Sequence, residues 1–279
     1  MNTNSDRGIF ALSVSELGPT LGALQKHGVT VAHLDMLRAN NGDNDYAKRF
    51  AQALTLKAFE TSTDTRIARL VLGKSFVDVA DWVTLYGARF SRKEVHQALK
   101  FPWHEDILMG PCPFNPGKLV KDTHTAFLGL EKLNGSPLNV MKWNELHPKK
   151  DDLQPRMYCD PNPWYATEKH TTEVLLQPRW YLMLTEIVPD SWNKLPEEQE
   201  QMLPKEYEIP TTVAETTKDL LVFRKTDIRP NPTRWARCAE KTSDGYLSCV
   251  GLFDGYGLHV HSWYGYRNDH VGLGASRKF

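Results

Sequence analysis

Hydrophobic residues in the first hundred positions recur every three or four residues, the spacing of amphipathic helices. From Ser15 to His27 the stripe consists of Leu17, Leu21 and Leu24, and Gly28 follows as a C-terminal cap. The same periodicity predicts further helices in this region. One has a stripe of Val31, Leu34 and Leu37 and is capped by Thr30, and the next has a stripe of Tyr46, Phe50 and Leu54. A third runs from Ser75 to Tyr86 and ends at Gly87. A fourth begins at a capping box formed by Ser91 and Glu94.

The pattern changes near residue 101, where prolines become frequent and the apolar runs become short. PRWYLMLTEIVP is bounded by prolines and rich in β-formers, which predicts a buried strand. PEEQEQML predicts a helix with Pro196 in its first turn. The short runs that follow are LLVFRK, RWARCAE, YLSCVGLF, LHVHSWY and VGLGASRKF, separated by turn residues.

We therefore expect an α+β protein with a helical N-terminal region, 1–105, and a loop-rich second domain, 106–279. The break falls between residues 101 and 117. A mostly β second domain is the alternative.

Composition narrows the classes of function. Lys+Arg and Asp+Glu balance at 34 each in 279 residues, so no overall charge attracts nucleic acid or an anionic membrane. The four cysteines, Cys112, Cys159, Cys238 and Cys249, form no CxxC pair and are expected as free thiols. Neither a signal peptide nor an apolar run of about 20 residues is visible. We expect no membrane span and, by default, a cytoplasmic location, although the sequence leaves the location unknown.

The last part of the chain combines aromatic, imidazole and small polar residues. Within fifteen residues it contains Tyr256, His259, His261, Ser262, Tyr264, Tyr266, Asn268, Asp269 and His270. Burying so many polar groups without partners costs about 1–3 kcal/mol each, so most are expected at the surface. Tyrosine with small polar residues is also typical of adaptable binding surfaces. The alternative is a polar terminal hairpin with no partner.

Three chemical alternatives use other residues. Residues 75–100 have the rhythm of a helix-turn-helix, in which Arg92 and Lys93 would reach DNA, but two packed helices explain it as well. His259 and His261 lie two apart, so a strand directs both to one face, where His270 or Asp254 would complete a zinc site. Cys249 alternates with apolar residues, which favours the core over a nucleophile. We expect no enzyme, no metal and no cofactor.

Some residue types are missing from the C-terminal region. Between Tyr246 and Ser276 there is no Lys, Glu, Gln or Met. Every residue there except Trp263 can be encoded by a codon that ends in a pyrimidine. Replacing adenines in asparagine codons generates this type of composition, although strands also disfavour Lys and Glu.

The C-terminal stretch GLFDGYGLHVHSWYGYRNDHVGLGASRKF resembles the variable region of the proteins diversified by diversity-generating retroelements. These variable proteins have a C-type lectin fold, which formylglycine-generating enzymes share. The resemblance covers roughly residues 117–279. It implies a C-type-lectin-like domain in which a hypervariable surface, about 246–270, recognises a macromolecular ligand, expected to be a protein and not a nucleic acid. The calcium motifs EPN, QPD and WND of sugar-binding lectins are absent from the chain.

The resemblance also divides the C-terminal residues into two sets. The implied framework is Phe253, Gly257, Leu258, Val260, Trp263, Gly272, Leu273, Ser276 and Arg277. The implied displayed, ligand-binding positions are Tyr246, Ser248, Tyr256, His259, His261, Ser262, Tyr264, Tyr266, Asn268, Asp269 and His270. The alternatives remain a DNA-binding regulator that uses residues 75–100 and a metalloenzyme that uses His259 and His261.

Overall fold

A computed structural model describes residues 13–26, 28–44, 47, 50, 65–148, 157–158 and 163–279. The chain divides into two compact units, 1–61 and 62–279. These bounds differ from the predicted break between residues 101 and 117, and described residues between 65 and 105 contribute to the core of the larger unit. In that core Phe76 stacks on Trp180, with 5.0 Å between the ring centroids. Helices and strands are both present, as expected for an α+β protein.

The described part of the smaller unit includes the helices α1 (Val14–Lys26) and α2 (Val31–Arg38) and a 3-10 turn. Thr30 is the N-cap of α2, as predicted, and its backbone N–H donates to His33 Nδ1 at 3.1 Å. Of the predicted third helix, Phe50 is helical. Tyr46 and Leu54 lie outside the described residues.

The larger unit begins with short helices and strands. They are α3 (Thr65–Leu72), β1 (Phe76–Val77), α4 (Val79–Tyr86), α5 (Arg92–Ala98), α6 (Glu105–Leu108), α7 (Val120–Thr123), β2 (His124–Leu128), β3 (Lys132–Leu133), β4 (Ser136–Pro137), α8 (Val140–Leu146) and α9 (Lys169–Thr172). Its second half supplies most of the sheet structure. This half contains β5 (Trp180–Leu184), α10 (Pro196–Glu200), β6 (Tyr207–Glu208), α11 (Thr212–Thr226), β7 (Trp235–Lys241), β8 (Leu247–Asp254), β9 (Gly257–Trp263), β10 (Val271–Leu273) and β11 (Ser276–Arg277).

Local sequence signals account for several of these boundaries. The capping box of Ser91 and Glu94 is confirmed at the start of α5. Pro196 occupies the first turn of α10, and the predicted strand in PRWYLMLTEIVP is β5, which is buried at all five positions. Signals carried by neighbouring residues therefore placed these elements correctly.

Two elements differ from the sequence prediction. The helix predicted from Ser75 begins only at Val79, because Asp78 is its N-cap and accepts from the Ala80 N–H at 2.8 Å. The segment LLVFRK is the second half of α11, a 15-residue helix, and not a separate short run. All residues from Thr212 to Val222 are buried, so this part of the helix has no solvent-exposed face and its sequence shows no amphipathic stripe.

Among the described residues, the larger unit contains two large sheets and a two-stranded sheet formed by β3 and β4. The five-stranded sheet has the order β1-β2-β5-β11-β6, with β1 parallel to β2 and β11 antiparallel to both its neighbours. The four-stranded sheet has the order β10-β7-β8-β9, with β10 parallel to β7 and the other pairs antiparallel. Helix α11 contacts β2 of the first sheet and β7, β8 and β9 of the second. Strand β10 therefore belongs to the sheet of the β8–β9 hairpin, and β11 returns the chain to the other sheet.

Candidate ligand-binding surface

Burial alternates along the C-terminal region and separates the two sets of residues. The set implied to be framework is buried at Phe253, Gly257, Leu258, Val260, Trp263, Gly272, Leu273 and Ser276 and half-buried at Arg277. Trp263 is only 2% exposed and belongs to a small apolar cluster with Leu247, Cys249 and Val271.

Ten of the eleven implied displayed positions reach solvent. Tyr256, His261, Tyr264, Tyr266, Asp269 and His270 are exposed, and Tyr246, His259, Ser262 and Asn268 are half-buried. Ser248, expected at the surface, is instead fully buried. Its side chain lies against the start of α11, where the Thr212 hydroxyl donates to Ser248 Oγ at 2.9 Å.

The strand register places the exposed positions on both faces of the four-stranded sheet. His261 pairs with Cys249, and His259 pairs with Gly251, which also pairs with Trp235 on β7. Because side chains alternate along a strand, His259 and His261 share one face. Ser262 belongs to the opposite face, paired with the buried Ser248.

Three histidines and two aromatic residues form an imidazole cluster, defined by His259, His261, His270, Trp235 and Tyr158. The Trp235 ring lies 5.5 Å from that of His261 and 6.4 Å from that of His270, both edge-on. Tyr158 stacks on His259 with 4.2 Å between centroids and is 46% exposed. Neither Trp235 nor Tyr158 was among the predicted site residues, because both come from outside the C-terminal aromatic stretch.

Three tyrosines form a second group, the tyrosine cluster. The rings of Tyr246 and Tyr264 lie 4.1 Å apart, and those of Tyr264 and Tyr266 lie 6.1 Å apart. The Trp263 indole N–H donates to the Tyr266 carbonyl at 2.8 Å and fixes the turn between them. Tyr256 stands apart from this group at the tip of the β8–β9 hairpin, where it is 66% exposed.

The loop between β9 and β10 is anchored to the rest of the larger unit. Arg267 pairs with Glu198 at 2.6 Å and donates to the Asn193 carbonyl at 2.9 Å. Arg234 donates from Nε to the Asp269 carbonyl at 3.3 Å while it lies over the Trp192 ring at 4.0 Å. These contacts hold the loop backbone and leave the Tyr264 and Tyr266 rings exposed.

Burial favours the neutral form of two rings in this cluster, His259 and His261. It lowers the pKa of His259 below its usual range, although Asp254, 3.8 Å away, opposes part of this change. Partial desolvation of the ring also lowers the pKa of His261, although the residue as a whole is exposed. Both rings are therefore neutral near pH 7, where each offers one hydrogen-bond donor and one acceptor to a ligand.

The zinc site, the cysteine nucleophile and the helix-turn-helix were the alternatives to a binding surface, and their residues lie as follows. Within the described part of the chain, no group of three or more His, Cys, Asp or Glu side chains is arranged to hold a metal ion. Cys249 is buried, and its pKa is raised by that burial. Arg92 and Lys93 are exposed at the start of α5, and Trp82 of the preceding helix is fully buried. The helices were also compared with the length of a membrane span, and none among the described residues is long and apolar enough to cross one.

Comparisons of the chain with protein-family models, with curated proteins and with solved structures find no match.

Proposed function

We propose that this chain is a non-enzymatic ligand-binding protein with a C-type-lectin-like domain, whose surface at residues 246–270 recognises another protein. We also propose that a retroelement diversifies this surface. The observation that carries the proposal is the separation of burial: ten implied displayed positions reach solvent, and the interleaved framework positions from Phe253 to Ser276 are buried.

This separation explains how side chains change without loss of the fold. Substitutions at exposed positions away from special features typically change stability by no more than about 0.5 kcal/mol. Removing a buried tryptophan such as Trp263 costs about 3–5 kcal/mol. Retroelement diversification confined to the exposed positions would therefore produce new surfaces on an unchanged scaffold.

Affinity in this proposal comes from the aromatic anchors. Tyr256, Tyr264 and Tyr266 are 66%, 63% and 57% exposed, and tyrosine is enriched among the residues that contribute most to protein–protein binding. Their hydroxyl groups and the neutral imidazoles add polar contacts around a large apolar area. A protein offers a large enough surface to engage both the imidazole and the tyrosine clusters.

Sequencing the gene and its flanking DNA tests the retroelement part of the proposal. We expect a near-identical repeat of the 3′ end with adenines at the exposed codons, next to a reverse transcriptase gene. A repeat that differs from the gene equally often at the codons of Leu258, Val260 and Trp263 would contradict it.

A stability measurement tests whether the scaffold tolerates substitutions at the displayed positions. A library randomised at Tyr256, His261, Tyr264 and Tyr266 should retain the melting temperature of the parent in most clones. The matched control library, randomised at Leu258 and Trp263, should lose folded protein in most clones. Equal losses in the two libraries would refute a scaffold that is independent of its displayed residues.

A further inference from the structure

One exposed aromatic ring at the candidate ligand-binding surface comes from outside residues 246–270. Tyr158 stacks on the displayed residue His259, with 4.2 Å between the ring centroids and 17° between the ring planes. Tyr158 precedes His259 by about a hundred residues in the chain. Its ring is therefore part of the surface but not of the segment that the proposed retroelement diversifies.

The backbone of Tyr158 is attached to the scaffold. Its N–H donates to the Leu258 carbonyl at 2.8 Å, and the preceding residue, Met157, pairs with Leu258 in a parallel bridge. Met157 and Leu258 are both fully buried, and Leu258 belongs to the implied framework. Substitutions at the displayed positions therefore leave the two residues that hold Tyr158 unchanged.

The Tyr158 ring is accessible as well as held. Tyr158 is 46% exposed although one face of its ring lies against His259, so the exposed area comes from the rest of the residue. Tyrosine supplies a large apolar area and a hydroxyl group at low conformational cost, because only two side-chain torsions are fixed on binding. A ring that the scaffold already positions loses even less freedom.

Trp235, the other aromatic residue of the imidazole cluster, has a different environment. It is half-buried, it packs against the apolar cluster that contains Trp263, and its indole nitrogen is buried. Its ring supports that of His261 edge-on, with 5.5 Å between the centroids. Trp235 therefore positions a displayed histidine, whereas Tyr158 itself is available to a ligand.

Exposure alone does not make an aromatic residue a binding residue, because single exposed apolar residues are common on proteins. Phe279 is 66% exposed, but it stacks on Trp103 just after β11 of the five-stranded sheet. Tyr158 instead extends a row of displayed rings, since strand β9 directs His259 and His261 to the same face. Its position beside displayed residues distinguishes Tyr158 from Phe279.

We propose that Tyr158 is a constant aromatic anchor of the ligand-binding surface, which contacts the protein ligand whatever residues occupy the exposed displayed positions. The proposal rests on the ligand-binding function proposed above. In protein interfaces a few residues, often tyrosines, contribute most of the binding energy, and the contacts around them provide complementarity. One constant anchor therefore retains part of the affinity while the displayed residues change which ligand fits.

Binders selected from a library of the full chain test this proposal. The library is randomised at Tyr256, His261, Tyr264 and Tyr266, and it is selected separately against lysozyme and against serum albumin. His259 is kept, so that the ring pair remains in every clone. Tyr158→Ala should then raise the dissociation constant about tenfold in most clones of both selections. Tyr158→Phe should retain most of the affinity, because it keeps the ring and loses only the hydroxyl group.

Phe279→Ala is the matched control, because it also removes an exposed aromatic ring from outside 246–270. It should leave the dissociation constants within about twofold of the parent clones. Thermal unfolding establishes which variants are folded. Tyr158→Leu keeps an apolar side chain beside His259 and replaces the alanine variant should that one unfold; it should also weaken binding, since it lacks the ring.

The outcomes separate the anchor from the function on which it rests. Folded Tyr158 variants that lose no more affinity than Phe279→Ala would overturn the anchor and leave the ligand-binding function intact. A loss confined to the binders of one of the two proteins would overturn it as well. A library that yields no binder of either protein would refute the ligand-binding function, and the anchor with it.

Discussion

Replacing Lys218 by methionine should destabilise the larger unit by about 3–5 kcal/mol at pH 7. Lys218 lies on α11 and is fully buried together with Glu215 and Asp219. Its Nζ atom is 2.5 Å from Glu215 Oε1, 3.3 Å from Asp219 Oδ1 and 3.2 Å from the Leu184 carbonyl oxygen. Methionine is unbranched and apolar like the lysine stem, so the substitution mainly removes the cation.

The magnitude follows from the two carboxyl groups that lose their partner. Burial raises the pKa of Glu215 and of Asp219, and the Lys218 cation opposes that rise. Without the cation, a carboxyl that was ionised must be protonated in the folded state. Protonating one group with an ordinary pKa near 4 at pH 7 costs about 4 kcal/mol, at about 1.4 kcal/mol per pH unit.

Urea unfolding at pH 7 and at pH 5 measures this cost. Because protonation becomes easier in acid, the destabilisation should shrink by about 2.7 kcal/mol between the two pH values. Lys142→Met is the matched control, since Lys142 also pairs with a glutamate three residues away, Glu145, but at the surface. It should change stability by less than about 1 kcal/mol. A Lys218→Met effect that is equally small, or independent of pH, would refute the reasoning.

Three further predictions concern other sites. Burial lowers the pKa of His124 to about 3 and of His147 to about 4. Both rings therefore stay neutral in the folded state when the pH falls below about 6.5, the pKa of histidine in the unfolded chain. Unfolding free energy should therefore fall from pH 6.5 to 4 by up to about 1.4 kcal/mol per pH unit for each histidine, and urea titrations of His147→Gln should show a shallower fall. Ser248→Tyr should destabilise the protein by about 1–3 kcal/mol because Ser248 is buried. Ser262→Tyr, at the half-buried residue paired with Ser248, should change the free energy of unfolding by about 0.5 kcal/mol or less. Equal melting temperatures of the two variants would contradict this difference in burial. Gly129→Ala should cost about 1–3 kcal/mol in urea unfolding because its Cβ overlaps the Gln177 carbonyl oxygen, and unchanged stability would contradict this close approach.

Elements with local signals were predictable from the sequence. Caps depend on hydrogen bonds between residues two or three positions apart, as at Ser91 and Glu94. Strand β5 was predictable because a short apolar run between prolines suits a buried strand better than a helix. In both cases neighbouring residues along the chain carry the information.

Helix α11 and the division of the chain were not predictable in this way. A helix packed against both sheets is buried on every side, so its hydrophobic periodicity disappears. The pairing of β1 with β2 joins residues 76–77 to a strand about fifty residues further along the chain. Neither feature has a signature within a short window of sequence.

The candidate ligand-binding surface also has features that the sequence determined and features that only the tertiary structure decided. The sequence by itself determined that residues 246–270 are rich in aromatic and polar groups and interleaved with apolar positions, because strand periodicity is written in consecutive residues. Only the tertiary structure decided that Ser248 lies against α11 while its partner Ser262 reaches solvent. Only the tertiary structure brought Tyr158 and Trp235 to the histidines. Strand pairing and helix packing join residues that are distant in the chain, and these contacts determine which face each side chain occupies.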